Sequence, residues 1–179
     1  MTAEASRYGR SEMDDVARVL GRLDPAMLVV TMRAGAERSG CLVGFHAQCS
    51  IDPLQYEVWI SKANHSFRLA LAAEVFVLHL LDEGDRALAT LFGETTGDAI
   101  DKFSRCTWHE GTDGAPVLDE CATRVLARPV GFHDEGGDHV GFVLEPFEVD
   151  TPSKRLRPLR YSAIADLEAG HPPSDPTNV

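Results

Sequence analysis

Gly40-Cys-Leu-Val-Gly-Phe-His-Ala-Gln-Cys-Ser-Ile-Asp-Pro53 opens on a glycine and closes on an Asp-Pro stop. Between them, small or apolar residues recur at every second position: Cys41, Val43, Phe45, Ala47 and Cys49. That is the period of a strand. Proline removes a backbone donor and biases Asp52 away from helix, so pairing is expected to end there. Gly44 interrupts the pattern. A glycine inside a strand marks a bulge, or a place where something approaches the backbone closely. The stretch therefore reads either as a core strand with a bulge or as a peptide platform for a flat heteroaromatic ring.

Outward from this stretch, the 179-residue chain is long enough for one domain with a sizeable core. Its 28 acidic residues outnumber 17 basic ones, for a net charge of −11. A phosphate-backbone binder needs a basic face, so the composition argues against nucleic acid and against an anionic membrane surface. No apolar run reaches the length of a membrane span, and the N-terminus lacks a secretory signal pattern. The expected location is the cytoplasm. Cys41, Cys49, Cys106 and Cys121 form no Cys-x-x-Cys pair and are expected to be small buried hydrophobes with free thiols.

Ser11-x-x-Asp14 followed by Val16, Val19, Leu20 and Leu23 predicts an N-terminal helix within residues 1–23, ended by Asp24-Pro25. Met27–Met32 reads as a buried strand, and a hairpin loop at 34–39 leads into the Gly40 strand. Tyr56–Ser61 makes a third strand. A short helix follows around Phe67–Leu71, with Asn64 and Ser66 as caps. Val75–Leu81 returns to strand. Asp82 is expected to cap a helix that Gly93 stops, and a second short helix should run through Ile100 and Phe103. Residues 110–114 read as loop. Two long strands, 121–133 and 140–149, flank the turn Glu135-Gly-Gly-Asp138. Arg160-Tyr-Ser162 is a candidate last strand. The polar, proline-rich residues 166–179 are expected to form a flexible tail, leaving 24–165 as the folded domain. The fold class is mainly β: a β-barrel with inserted α-helices.

No Gly-x-Gly-x-x-Gly follows a strand, and no Gly-x-x-x-x-Gly-Lys-Ser/Thr loop or Gly-x-Ser-x-Gly elbow is present. Ser61-Lys-Ala-Asn-His-Ser-Phe-Arg68, between a strand and a helix start, offers cations at Lys62, His65 and Arg68. Asn64 and Ser66 add neutral donors. That composition suits one phosphate group; a plain polar turn is the competing reading. Gly136-Gly-Asp-His139 puts a histidine where a strand leaves a tight turn, either projecting into a cleft or closing the hairpin. His133 and His139 are placed to meet across that hairpin, but no spacing points to a metal site.

Taken together, these features resemble the flavin reductase family, with its FMN-binding split-barrel fold. The 40–53 stretch resembles the family's Gly-x-Thr-x-Ser-Ser-Phe-x-Ser-x-Ser-x-Asp-Pro-Pro, with Gly40, Ser50, Asp52 and Pro53 in place. Met27–Thr31, Asp101-Lys-Phe103, Ala115-Pro-Val-Leu118, Gly137-Asp-His139 and Pro158-Leu-Arg-Tyr161 resemble further family elements in the same order. The resemblance implies that backbone from Val43 to Ser50 (Val43, Gly44, Phe45, His46, Ala47, Cys49, Ser50) lines the isoalloxazine ring. It places Lys62, Asn64, His65 and Ser66 at the ribityl phosphate and Phe103 near the ring or its tail. It sets His139 at the nicotinamide of NADH or NADPH, donating a hydrogen bond to the carboxamide. It implies FMN as cofactor, with FAD or deazaflavin as alternatives, a homodimer, and a flavin-dependent monooxygenase as recipient of reduced flavin.

The chain departs from the family pattern at Leu42, Gly44, Phe45, His46 and Leu54. Hydroxyl contacts at 42, 44 and 45 are thereby replaced by backbone ones, and His46 adds a titratable group. Three functions compete: an NAD(P)H-dependent FMN reductase, a flavin or deazaflavin oxidoreductase acting on another substrate, and a non-catalytic flavin-binding module.

Overall fold

The computed structural model describes residues 10–95, 97, 100–152, 155–168 and 170. Helix α1 (Arg10–Leu20) and a 3-10 turn (Gly21–Leu23) precede strand β1 (Leu28–Ala34), β2 (Glu37–Val43), β3 (His46–Ile51) and β4 (Leu54–Ser61). Then come α2 (His65–Ala70), β5 (Phe76–Leu80), α3 (Arg86–Glu94), β6 (Trp108–Glu110), β7 (Pro116–Leu118), β8 (Arg124–His133) and β9 (His139–Asp150). The main sheet is antiparallel, in the order β2-β1-β5-β8-β9-β4-β3.

Alternation along each strand decides what goes inside. Val30 and Met32 of β1, Phe76 and Leu78 of β5, and Phe142 and Leu144 of β9 pack with Val58 and Ile60 of β4 and Cys41 and Val43 of β2. Side chains from β2, at one end of the strand order, and from β4, next to the other end, thus share one core, so the sheet is curled into a barrel. Helix α2 covers one end of the lumen through Leu69, Ala70 and the Phe67 ring, which lies edge-on to Phe142 at 6.4 Å. A second core lies outside the barrel, where Val29 and Leu81 meet Leu88 and Phe92 of α3, Phe103 and Leu118. Because β1 is buried on both faces, its sequence is a continuous apolar run rather than an alternating one.

Several elements differ from the sequence reading. The 40–51 stretch is two strands. It breaks at Gly44-Phe45, where the chain leaves its pairing with β1 and crosses to β4. A Cβ at Gly44 would lie 3.2 Å from the Met27 Cε. The period resets at the break: Cys41 and Val43 are buried, whereas Phe45, Ala47 and Cys49 are exposed. Cys49 is therefore not a core residue. Ser11 lies inside α1 rather than capping it, and Val16, Val19, Leu20 and Leu23 are exposed.

Asp85, not Asp82, precedes α3; its carboxylate accepts the Asp82 N–H at 2.8 Å. The helix runs through Gly93 to Glu94, because Gly93 is there for proximity: a Cβ would sit 2.9 Å from the Leu42 Cδ2. The helix expected through Ile100 and Phe103 is only a 3-10 turn, Lys102–Ser104, begun by Asp101 accepting from the Phe103 N–H. Residues 110–114 include the end of β6, which pairs with β7. Arg160-Tyr-Ser162 makes one bridge to Ala26 and then a 3-10 turn. Residues 169 and 171–179 of the expected tail lie outside the described residues.

His79, fully buried on β5, fastens the second core to the barrel. Its Nδ1–H donates to the Val29 carbonyl at 3.1 Å, and its Nε2 accepts from the Leu118 N–H at 3.0 Å. Burial lowers its pKa to about 3. An unfolded histidine titrates near 6.5, so below that pH the unfolded chain takes up a proton that the native one refuses. The stability this ring contributes is complete above pH 6.5 and declines as pH falls towards 3. Between pH 7 and pH 5 the loss should be about 2 kcal/mol. It is read as a drop in the urea midpoint with unchanged slope; equal midpoints at the two pH values would contradict it.

Candidate active site

The barrel is split where β2 and β3 lie at opposite ends of the strand order. Each pairs on one side only, so the outer peptide groups of both strands lack a ladder partner among the described residues. Gly44-Phe45 bridges the two strands, with the Phe45 carbonyl accepting from the Trp59 N–H at 2.9 Å. Val43 is buried in the lumen and Gly44 is half-buried over Met27. Phe45 turns outward, 62% exposed. Ala47 and Cys49 face solvent, Cys49 at a bulge between Gln48 and Ser50. Ser50 is half-buried and pairs with Gln55.

His46 is held at both nitrogens. The Tyr56 hydroxyl donates to its Nδ1 at 2.6 Å, and its Nε2–H donates to the Ala26 carbonyl at 2.8 Å. This is a neutral imidazole, and burial lowers its pKa. It braces β3 against β4 and the approach to β1 rather than facing outward.

His139 begins β9, opposite Ser61 of β4. Its ring meets Phe45 edge-on, with centroids 5.2 Å apart. Its Nδ1–H donates to the Asp138 carboxylate at 2.9 Å, an interaction that holds Asp138 below the usual carboxylate pKa. The Lys62 N–H donates to the Asp138 carbonyl at 2.9 Å. The Lys62 ammonium lies 2.8 Å from the Asp134 carboxylate, whose pKa is lowered by that bond and by the Gly136 N–H. The structure thus brings Phe45, Lys62 and His139 together around the β8–β9 turn.

The remaining polar groups of 62–68 have local roles. Asn64 caps α2, its Oδ1 accepting from the Ser66 N–H at 2.9 Å. The Ser66 hydroxyl is buried and bonded to the Ser39 hydroxyl at 2.8 Å. Arg68 reaches Glu37 at 3.6 Å. The His65 ring lies against the backbone at Gly97, where a Cβ would be 2.7 Å from the ring. Phe103 stands apart in the second core, edge-on to Phe92 and Trp108. His133 faces Gly141 across the β8–β9 pair and bonds the buried Glu57, so it does not join His139.

Three residues that organise this region are given no role by the sequence reading. Asp134 occupies Lys62 from a hairpin 72 residues away, and Tyr56 orients His46. Lys102 is buried, with its ammonium donating to the carbonyls of Gly40 at 3.1 Å and Phe92 at 3.2 Å. Burial lowers its pKa. A buried lysine must find acceptors, and the glycine that opens β2 supplies one.

The comparisons with known proteins agree with the fold. The chain is 28% identical over 143 residues to FMN reductase (NADH) RutF 2 of Rhizobium rhizogenes, covering 78% of this chain and 79% of that one. It is 25% identical over 126 residues to diflavin flavoprotein A 1 of Synechocystis sp., covering 70% of this chain but 22% of the relative. The chain spans about a fifth of the length of the diflavin flavoproteins it matches. Among solved structures, nitrilotriacetate monooxygenase component B of Mycobacterium thermoresistibile superimposes with a TM-score of 0.73, at 23% identity and covering 84% of this chain and 82% of that one. The sequence model of the flavin reductase like domain matches residues 20–166. With that match over most of its length, the chain belongs to the flavin reductase-like family.

Proposed function

We propose that the protein is an NAD(P)H-dependent FMN reductase that works as a homodimer and supplies reduced flavin to a monooxygenase. The observation that carries this reading is the meeting of Phe45 and His139 at the split, beside the unpaired edges of β2 and β3. A flavin ring has an apolar face and an edge of amide-like donors and acceptors. The exposed Phe45 ring suits the face, and the free peptide groups of β3 suit the edge. Leu42, Gly44 and Phe45 offer no hydroxyl, so the backbone carries the polar contacts. Lys62 is the cation placed for a phosphate, in competition with Asp134. When bound, the flavin supplies the N5 atom that accepts a hydride from the nicotinamide.

The chain's own part is orientation. With Nδ1 bonded to Asp138, Nε2 is the ring nitrogen left for the carboxamide of the nicotinamide. Phe45 packs against the same imidazole and limits its rotation. Exposed apolar residues at Ile51, Leu54, Phe147 and Val149 support the homodimer.

The test is titration of the purified protein with FMN, FAD, riboflavin and deazaflavin by fluorescence, followed by steady-state NADH and NADPH oxidation. FMN should bind more tightly than FAD, since a single cation suits one phosphate, and pyridine-nucleotide oxidation should require added flavin. Much tighter FAD binding would remove the FMN assignment. Tight flavin binding with no oxidation of either nucleotide would leave a binding module.

A further inference from the structure

Among the described residues, nothing closes the end of the barrel opposite α2. A cavity of about 410 Å³ runs into the lumen there, walled by Leu28, Leu54, Tyr56, Leu80, Val125 and Val149. Rim residues Ile51, Leu54, Phe147 and Val149 are exposed. The same chain carries a second apolar surface that has no partner among the described residues. Met13, Val16, Val19, Leu20 and Leu23 recur at helical spacing along α1 and its 3-10 turn, and they are 43 to 77% exposed. A helix of this kind laid in an apolar groove is a recurring mode of recognition.

We infer that α1 of one copy seats its apolar stripe in the open barrel mouth of a second copy, reciprocally. This rests on the homodimer proposed above and names its interface. The helix is not lying across its own mouth, since its stripe is exposed. Its base is also fixed. Asp24 is left-handed at φ 47°, its carboxylate accepts from the Ser162 N–H at 2.7 Å and hydroxyl at 2.8 Å, and its carbonyl accepts from Arg160 at 3.2 Å.

Asp24 precedes Leu28, a wall residue of the mouth, by four positions, so the helix base is within about 14 Å of it. Helix and mouth therefore sit on one side of the molecule, as a two-fold contact requires. The helix is about 16 Å long, enough to cross the opening. Burying an aliphatic side chain removes about 60–120 Å² of apolar surface. Half-exposed side chains of the stripe and rim, with the usual share of polar surface, amount to about 700 Å² per copy. A stable interface covers about 800 Å².

Sedimentation equilibrium on the full chain tests this, with a V16D/L20D variant on the helix and a V149D variant on the rim. All three positions are exposed, so circular dichroism should be unchanged. Each variant should weaken dimerisation by about a hundredfold or more. In a C49S background, mixing L20C and V149C chains should give a disulfide between the two different chains. Variants that dimerise like the wild type would overturn this interface while leaving the homodimer standing. A monomeric wild type would overturn both. A Leu20→Cys/Val149→Cys double variant that closes within one chain would make the helix a lid on its own barrel and overturn the exchange.

Discussion

Replacing His139 by alanine should lower kcat/KM for NAD(P)H by about a hundredfold, because errors near 1 Å in the placement of a reacting pair cost on that order. Flavin affinity should stay nearly unchanged, since the proposed partner of the imidazole is the nicotinamide and its contacts within the chain are Phe45 and Asp138. His139→Gln supplies a side-chain amide at a similar reach and should restore part of the loss. A purely structural histidine gives the opposite pattern: a lower Tm, with full turnover per folded, flavin-loaded molecule. Stopped-flow measurement of flavin reduction, alongside thermal melts of the same samples, separates the two. Wild-type turnover in the alanine variant would remove His139 from the mechanism.

The second large effect concerns the phosphate. Lys62→Ala should weaken FMN binding by about ten- to a hundredfold, the value of a charge-assisted contact of roughly 1.5–3 kcal/mol. Asp134→Asn should act the other way and tighten FMN, because it releases the ammonium that Asp134 holds at 2.8 Å. Riboflavin lacks the phosphate and should respond to neither substitution. Equal changes for FMN and riboflavin would place the effect in the β8–β9 turn instead. Ser66→Ala belongs to a different class. Its hydroxyl is buried against Ser39, so its loss should appear as reduced stability before reduced affinity.

The parts of the fold that were legible in the sequence are those with local causes. The apolar run of β1, the Asn64 cap of α2 and the Gly136-Gly137 turn each follow from neighbouring residues. The break at Gly44-Phe45 was not legible, because alternation continues through it in the sequence. Only pairing to β1 on one side and β4 on the other shows that the two halves face different environments. The same holds for Gly93. Read locally, it ends a helix; in three dimensions it admits Leu42. At the candidate site, the sequence named Lys62 and His139 by residue type and position, whereas Asp134 acts through a long-range contact and Tyr56 through one across the β3–β4 hairpin. The exposed stripe of α1 was legible as helix, but its pattern could not show that no core among the described residues receives it.

Lys102 joins β2 to α3 through two carbonyls, and that contact does not stand alone. A Cβ at Gly40 would be 2.8 Å from the Phe92 ring, and one at Gly93 would be 2.9 Å from Leu42. Strand and helix are therefore packed without slack on both sides of the ammonium. In native-state hydrogen exchange they should open as one cooperative unit, with shared free energies and shared denaturant slopes. The edge that flanks the proposed ring site then has the lifetime of a helix on the far side of the sheet. Loosening α3 anywhere along its packed face would shorten the residence time of whatever lies against β2.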